Sequence, residues 1–219
     1  MKLILTVFIS IFFTLSAIIG QEQQTPCAFD RLVNNHKILV AEKIIQEGVD
    51  FQKSGHDIKV IPVVVHIFHE GGSENISDAQ VESAITVLNE DFGKLTGTAG
   101  DGNGVDTEIR FCLAKIDPNG NCTNGIVRIN SSLTNHKTYE RPLLKQVSFW
   151  DNEKYLNIYI VKSIPGNTAG HSSFPGGPAD EDGLVARHHY FGRVGSAIGP
   201  LGRTGTNEVG HWLGIYHTF

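Results

Sequence analysis

The sequence predicts an α+β fold, a twisted mixed β-sheet packed with helices and a last helix crossing beneath it at the C-terminal end. Three observations predict it. The run Val60 to Phe68 is rich in β-branched residues and reads as a buried strand. Strand-like and helix-like segments alternate after it. The stretch from Asn207 to Phe219 places polar residues at helical spacing and then turns at a glycine.

Residues 1–20 have the form of a secretory signal peptide. Lys2 is followed by an almost wholly apolar run from Leu3 to Ile19, then by Gly20 and Gln21. Residues 21–57 read as a leader or pro-segment. Within it Leu32, Val33, Ile38, Leu39, Ile44 and Ile45 recur at helical spacing, and a linker follows from Gly48 to Asp57. Residues 58–219 form the third unit, which begins with the strand at Val60.

Ser77 is placed to N-cap the next helix, with Gln80 three residues on to complete a capping box. Val81, Ala84, Ile85, Leu88 and Phe92 give this helix one apolar face. Glu108 to Ala114 reads as a second strand and Gly125 to Ile129 as a third, joined through the turn Asp117-Pro118-Asn119-Gly120. Tyr155 to Val161 is a fourth. The glycine-rich stretch after Ile164 reads as loop. The final helix is expected to start near Arg203.

Net charge is −5 with no basic block, which argues against nucleic acid as a partner. No stretch beyond the signal is apolar enough for stable membrane insertion. Of the three cysteines, Cys112 and Cys122 flank the Pro-Asn-Gly turn and could pair across a hairpin, which would leave Cys27 single. His66 and His69 read as structural, and the adjacent His188 and His189 as a surface loop. Asp101 with Asn103, and Asp117 with Asn119 and Asn121, read as turns, because a calcium loop would need a glycine at its sixth position and a later bidentate glutamate.

The chemistry concentrates at the end of the chain. Positions 207 and 211 lie four apart, on one face of a helix and about 6 Å apart along its axis. Imidazoles at such positions reach one zinc ion. Glu208 beside the first position is placed to take a proton from water. Gly214 can adopt positive φ, end the helix and bring His217 back as a further ligand. Asn207 stands at the first ligand position, where the pattern H-E-x-x-H-x-x-G-x-x-H has histidine.

These residues resemble a known family, the pappalysin-type metzincins, in their bacterial cytophagalysin-like branch. The resemblance runs through Ile61-Pro62-Val63-Val64-Val65-His66, Ile76 to Gln80, Leu88 to Phe92, Asn124 to Arg128 and Tyr155 to Tyr159. It continues through Asp182-Gly183 and Gly202-Arg203-Thr204 to Glu208 through Phe219. It implies a metzincin-like N-terminal subdomain within a secreted or periplasmic zinc endopeptidase made as a proenzyme. It implies His211 and His217 as zinc ligands, Glu208 as general base, a peptide or protein substrate, and calcium as a support in some members. The family's methionine turn and C-terminal subdomain would follow the motif. The only methionine here is Met1, so the chain is expected to be truncated after the zinc motif. Some relatives silence their zinc with a leader cysteine, a role for which Cys27 is the candidate. Asn207 predicts weakened zinc binding and leaves open a non-catalytic peptide-binding protein or a remnant.

Overall fold

The computed structural model describes residues 57–137, 140–199 and 201–217. The segments expected to be a signal peptide and a leader helix, and Cys27, lie outside them. The central strand β1 (Lys59–His69) is followed by α1 (Asp78–Phe92), β2 (Ile109–Leu113), β3 (Ile126–Asn130) and α2 (Arg141–Val147). Then come β4 (Leu156–Val161), β5 (Gly170–Ser172), β6 (Leu184–Arg187) and α3 (Thr204–Trp212).

The sheet order is β2-β1-β4-β6-β5, with β3 also on β1. Only β5 runs antiparallel, so the sheet is mixed, as expected. The residues Val63 to Phe68 of β1 are all fully buried. Parallel strands covered on both faces need apolar side chains on both, which is why β1 and β4 read as continuous apolar runs rather than alternations.

One face of the sheet packs Val65, Ile67, Ile158 and Ile160 against α1 and against Val209 of α3. The other packs Phe68, Tyr159, Val161 and Val185 against Leu144 of α2. Each such side chain contributes roughly 1.5–3 kcal/mol when fully buried. The apolar face expected for α1 is the buried one, and Ser77 caps it by accepting from the Gln80 backbone N–H at 3.2 Å.

Three expectations are corrected. First, β2 and β3 do not form a hairpin. Both lie parallel to β1 on the same edge, β2 along Lys59–Val63 and β3 along Val65–His69. The intervening chain makes an excursion whose turn is closed by an Ile116–Cys122 bridge. Second, that register places Ile116, not Cys112, opposite Cys122. Cys112 is committed to β2, and both thiols are exposed and free of a disulfide. Third, the glycine-rich stretch contains β5 and β6, which are too short and too interrupted to show a period. The helix α2 was likewise not anticipated. Asp117 behaves as expected of a turn, its Oδ1 accepting from the backbone of Asn119 and Asn121.

His66 is structural. Its Nε2–H donates to Asn157 Oδ1 at 2.9 Å, its Nδ1 accepts from the Ser148 hydroxyl at 2.8 Å, and its ring stacks on Tyr159. The Asn157 orientation is set independently, since its amide donates to Trp150 O and its oxygen accepts Trp150 N–H. Burial lowers the His66 pKa from 6.5 to about 4. The folded chain therefore keeps this ring neutral while the unfolded chain takes up a proton below 6.5. The stability is fully present above 6.5 and is lost as pH falls toward 4, by about 3 kcal/mol. Urea midpoints should fall across that window, and His66→Gln should reduce the fall. An unchanged pH dependence in the variant would exclude His66 as its source.

Candidate metal centre

The helix α3 is positioned by α1. Asp91 accepts from Arg203 Nε and Nη2 at 3.1 and 2.8 Å and from the Thr206 hydroxyl at 2.6 Å. Arg203 is the residue preceding the first turn, so these bonds fix where the helix begins. At the other end Trp212 Nε1–H donates to Asp182 Oδ1 at 3.0 Å.

Between them Gln80 secures the approach to α3. Its Nε2 donates to the carbonyls of His188 and Phe191 at 2.8 and 2.9 Å, and its Oε1 accepts from Ser196 N–H at 2.9 Å and from its hydroxyl at 3.1 Å. The expected capping box is therefore half made, because the Gln80 side chain serves this loop instead. His188 is buried rather than on a surface loop, since the same loop folds against α1. Burial lowers the pKa of both His188 and His189, the latter to about 4.

Glu208 is fully buried and His211 nearly so. Behind Glu208 stands Gly170 of β5. A Cβ at Gly170 would lie 3.0 Å from Glu208 Cγ and 3.0 Å from Val185 O, so the carboxylate fits only because that side chain is absent.

The helix ends as the spacing predicts. Gly214 has φ +91°, its N–H donates to His211 O, and Ile215 N–H donates back to Gly210 O. This paired closure turns the chain and brings His217 Nε2 to 3.0 Å from His211 Nε2. His211 Nδ1–H donates to Ile215 O at 2.7 Å, which leaves Nε2 as the lone-pair atom toward His217. Gly214→Ala should cost roughly 1 kcal/mol or more, because Ala resists positive φ. The thermal midpoint should fall and zinc retention should fall with it. An unchanged midpoint would show that the turn tolerates a side chain.

The donor set fits zinc in part. Two imidazole nitrogens converge, and His211 holds the tautomer that a metal needs. The third donor does not match: Asn207 Nδ2 donates to Glu208 Oε1 at 3.2 Å, and an amide oxygen is a poor zinc ligand beside imidazole. Among the described residues no group of three or more His, Cys, Asp or Glu side chains is arranged to hold a metal ion. Sequence reasoning named Glu208, His211 and His217 but not Gln80, Asp91, Gly170 or Asp182 as their supports. Gln80, Asp91 and Asp182 lay in segments quoted for the family resemblance, Gln80 only as a capping residue and the other two without a role.

A mixed sheet with a buried-glutamate helix beneath its antiparallel edge, closed by a glycine turn onto a second histidine, defines the metzincin class of metallopeptidases. The family model of peptidase M43, described as Pregnancy-associated plasma protein-A, matches residues 142–219. A point mutant of promirolysin from Tannerella forsythia superposes with TM-score 0.71 at 32% identity, over 88% of this chain and 69% of that one. The chain belongs to the pappalysin family of metzincins.

Mature mirolysin from the same organism, solved with a cleaved peptide, is 37% identical over 74% of this chain and 65% of its own, with TM-score 0.66. An extracellular metalloprotease of Verticillium alfalfae is 26% identical over 196 residues, 85% of this chain and 61% of the relative. One of Pyricularia oryzae is 29% identical over 166 residues, 73% and 50%. The chain thus spans about half to two thirds of the length of these curated relatives. Membership of the family implies zinc.

Proposed function

We propose that this chain carries the water-activating part of a secreted zinc endopeptidase, with its metal binding weakened at Asn207. The observation that supports this most is the convergence at 3.0 Å of His211 on α3 and His217 after the turn, beside a helix that buries Glu208. His211 and His217 would hold the ion through Nε2, and the ion would polarise the scissile carbonyl and its attacking water. Glu208 accepts the proton of that water and returns it to the leaving amine. The amide of Asn207 occupies Oε1 of the same carboxylate, which competes with that proton transfer. Secretion follows the signal-like start and the extracellular relatives. The substrate class is a peptide or protein, as in the peptide-bound relative.

The test is Glu208→Gln in the purified chain, with zinc content and cleavage of an unstructured protein measured beside the parent. Slow cleavage in the parent, abolished in the variant at unchanged fold and zinc content, is expected. Equal cleavage in both would remove Glu208 as the base. The Asn207–Glu208 contact favours one second reading, a peptide-binding protein without turnover. For that reading peptide affinity would survive both chelator and Glu208→Gln, with no cleavage at any zinc concentration.

A further inference from the structure

The two faces of the sheet are not equally covered at the end where β1 begins. Ile61, Val63, Val65 and Ile67 of β1 belong to the cluster on the α1 side. Neighbours along a strand alternate, so Val60, Pro62, Val64, His66 and Phe68 face the other side. Along the later part of that face Phe68 packs with Leu144 of α2. The Ser148 hydroxyl and the Trp150 ring then meet His66. Before that point the cover thins out. Val64 is fully buried, Pro62 is half-buried and Val60 is 57% exposed.

The neighbouring strand continues the same surface. Phe111 of β2 packs on the α1 side, so Cys112 beside it faces away. Cys112 pairs with Pro62 and is exposed. Ile58, just before β1, is exposed as well. Parallel strands are ordinarily covered on both faces. Here α1 and α3 pack on one face, and α2 reaches only the later part of the other. Ile58, Val60, Pro62 and Cys112 are left as an apolar surface that no helix among the described residues covers.

The chain that enters at this surface supplies an occupant. Residues 21–57 lie outside the described residues and run directly into Ile58. They carry the apolar residues Leu32, Val33, Ile38, Leu39, Ile44 and Ile45, which gain by burial against such a face. The linker 48–57 joins that stretch to Ile58 and reaches at most about 36 Å when fully extended. A segment tethered so closely has an effective concentration of about millimolar, above that of a second copy of the chain at micromolar concentration.

We infer that residues 30–47 pack their apolar side chains onto this face of β1 and β2, so that the leader is a built-in cover for the sheet. The cover lies across the sheet from α3, whose Val209 packs on the opposite face. It therefore supports the scaffold and leaves the side of Glu208 and His211 open. A cut within the linker 48–57 would release it and bare Val60 and Pro62.

The test uses the chain from residue 21 with Cys27→Ser and Cys122→Ser, which leaves Cys112 as its only thiol and as a reporter on the face. Ile38 and Ile45 are seven apart and share one side of a helix. In native buffer Ile38→Asp/Ile45→Asp should speed the reaction of Cys112 with N-ethylmaleimide at least about tenfold, because the cover opens locally. Equal rates in the two proteins would overturn the inference. Protection that grows with protein concentration would assign the face to a second copy and overturn it too. A second measurement works from the face itself. Val60→Asp places a charge where β1 leaves its side chain exposed, so the strand retains its packing. Tryptic cleavage after Lys37 and Lys43 should then be at least about tenfold faster than in the parent. Unchanged cleavage overturns the inference even where Ile38→Asp/Ile45→Asp fails to fold.

Discussion

Asn207→His should raise zinc affinity by at least about 100-fold, since even outer-shell partners of a zinc site are worth 10–100-fold and this change supplies a direct ligand. The position lies one helical turn before His211, so a new imidazole shares its face. The change also removes the Nδ2–H that donates to Glu208 Oε1. Zinc retained after dialysis should rise from substoichiometric in the parent toward one equivalent in the variant, and cleavage of an unstructured protein should rise with it. Stoichiometric zinc and equal proteolysis in both would show that the amide serves as well as an imidazole. The change is sparing of the fold, because the bonds that place α3 come from Asp91, Asp182 and Gln80, not from residue 207.

Gln80→Ala is expected to be the most damaging single change to the scaffold. The side chain is fully buried and makes four hydrogen bonds to residues 188–196. Its loss leaves two carbonyls and an N–H without their partner and opens a cavity, for a cost of roughly 3–5 kcal/mol. Gln80→Met separates the two contributions. It keeps most of the volume and removes the hydrogen bonds, so it should recover the cavity part only. Chemical denaturation of the three proteins measures this. A Met variant as stable as the parent would assign the role to packing. Because residues 188–196 lead directly into α3, zinc retention should fall in both variants even where the fold survives.

Much of the candidate site was legible because it is local. Glu208, His211, Gly214 and His217 span one helix end, and helical geometry with a positive-φ glycine suffices to bring the two histidines together. The strand β1 and the helix α1 were legible for a similar reason, since a fully buried strand needs an unbroken apolar run and a surface helix needs a stripe. The hairpin expectation for Cys112 and Cys122 failed because a turn specifies only its own residues. Pairing of β2 and β3 with β1 was decided by burial against that strand, not by the Pro-Asn-Gly turn between them.

The sequence by itself determined the family, the spacing of the zinc-facing residues and the substitution at Asn207. The tertiary structure decided what holds them in place. Gln80 reaches loop residues 108 to 116 positions away, Asp91 reaches Arg203 across 112, and His136 meets His171 across 35. Gly170 makes room for Glu208 from a strand too short to show a period. Such contacts follow from how the sheet brings distant segments together, and a single sequence carries no local pattern that records them.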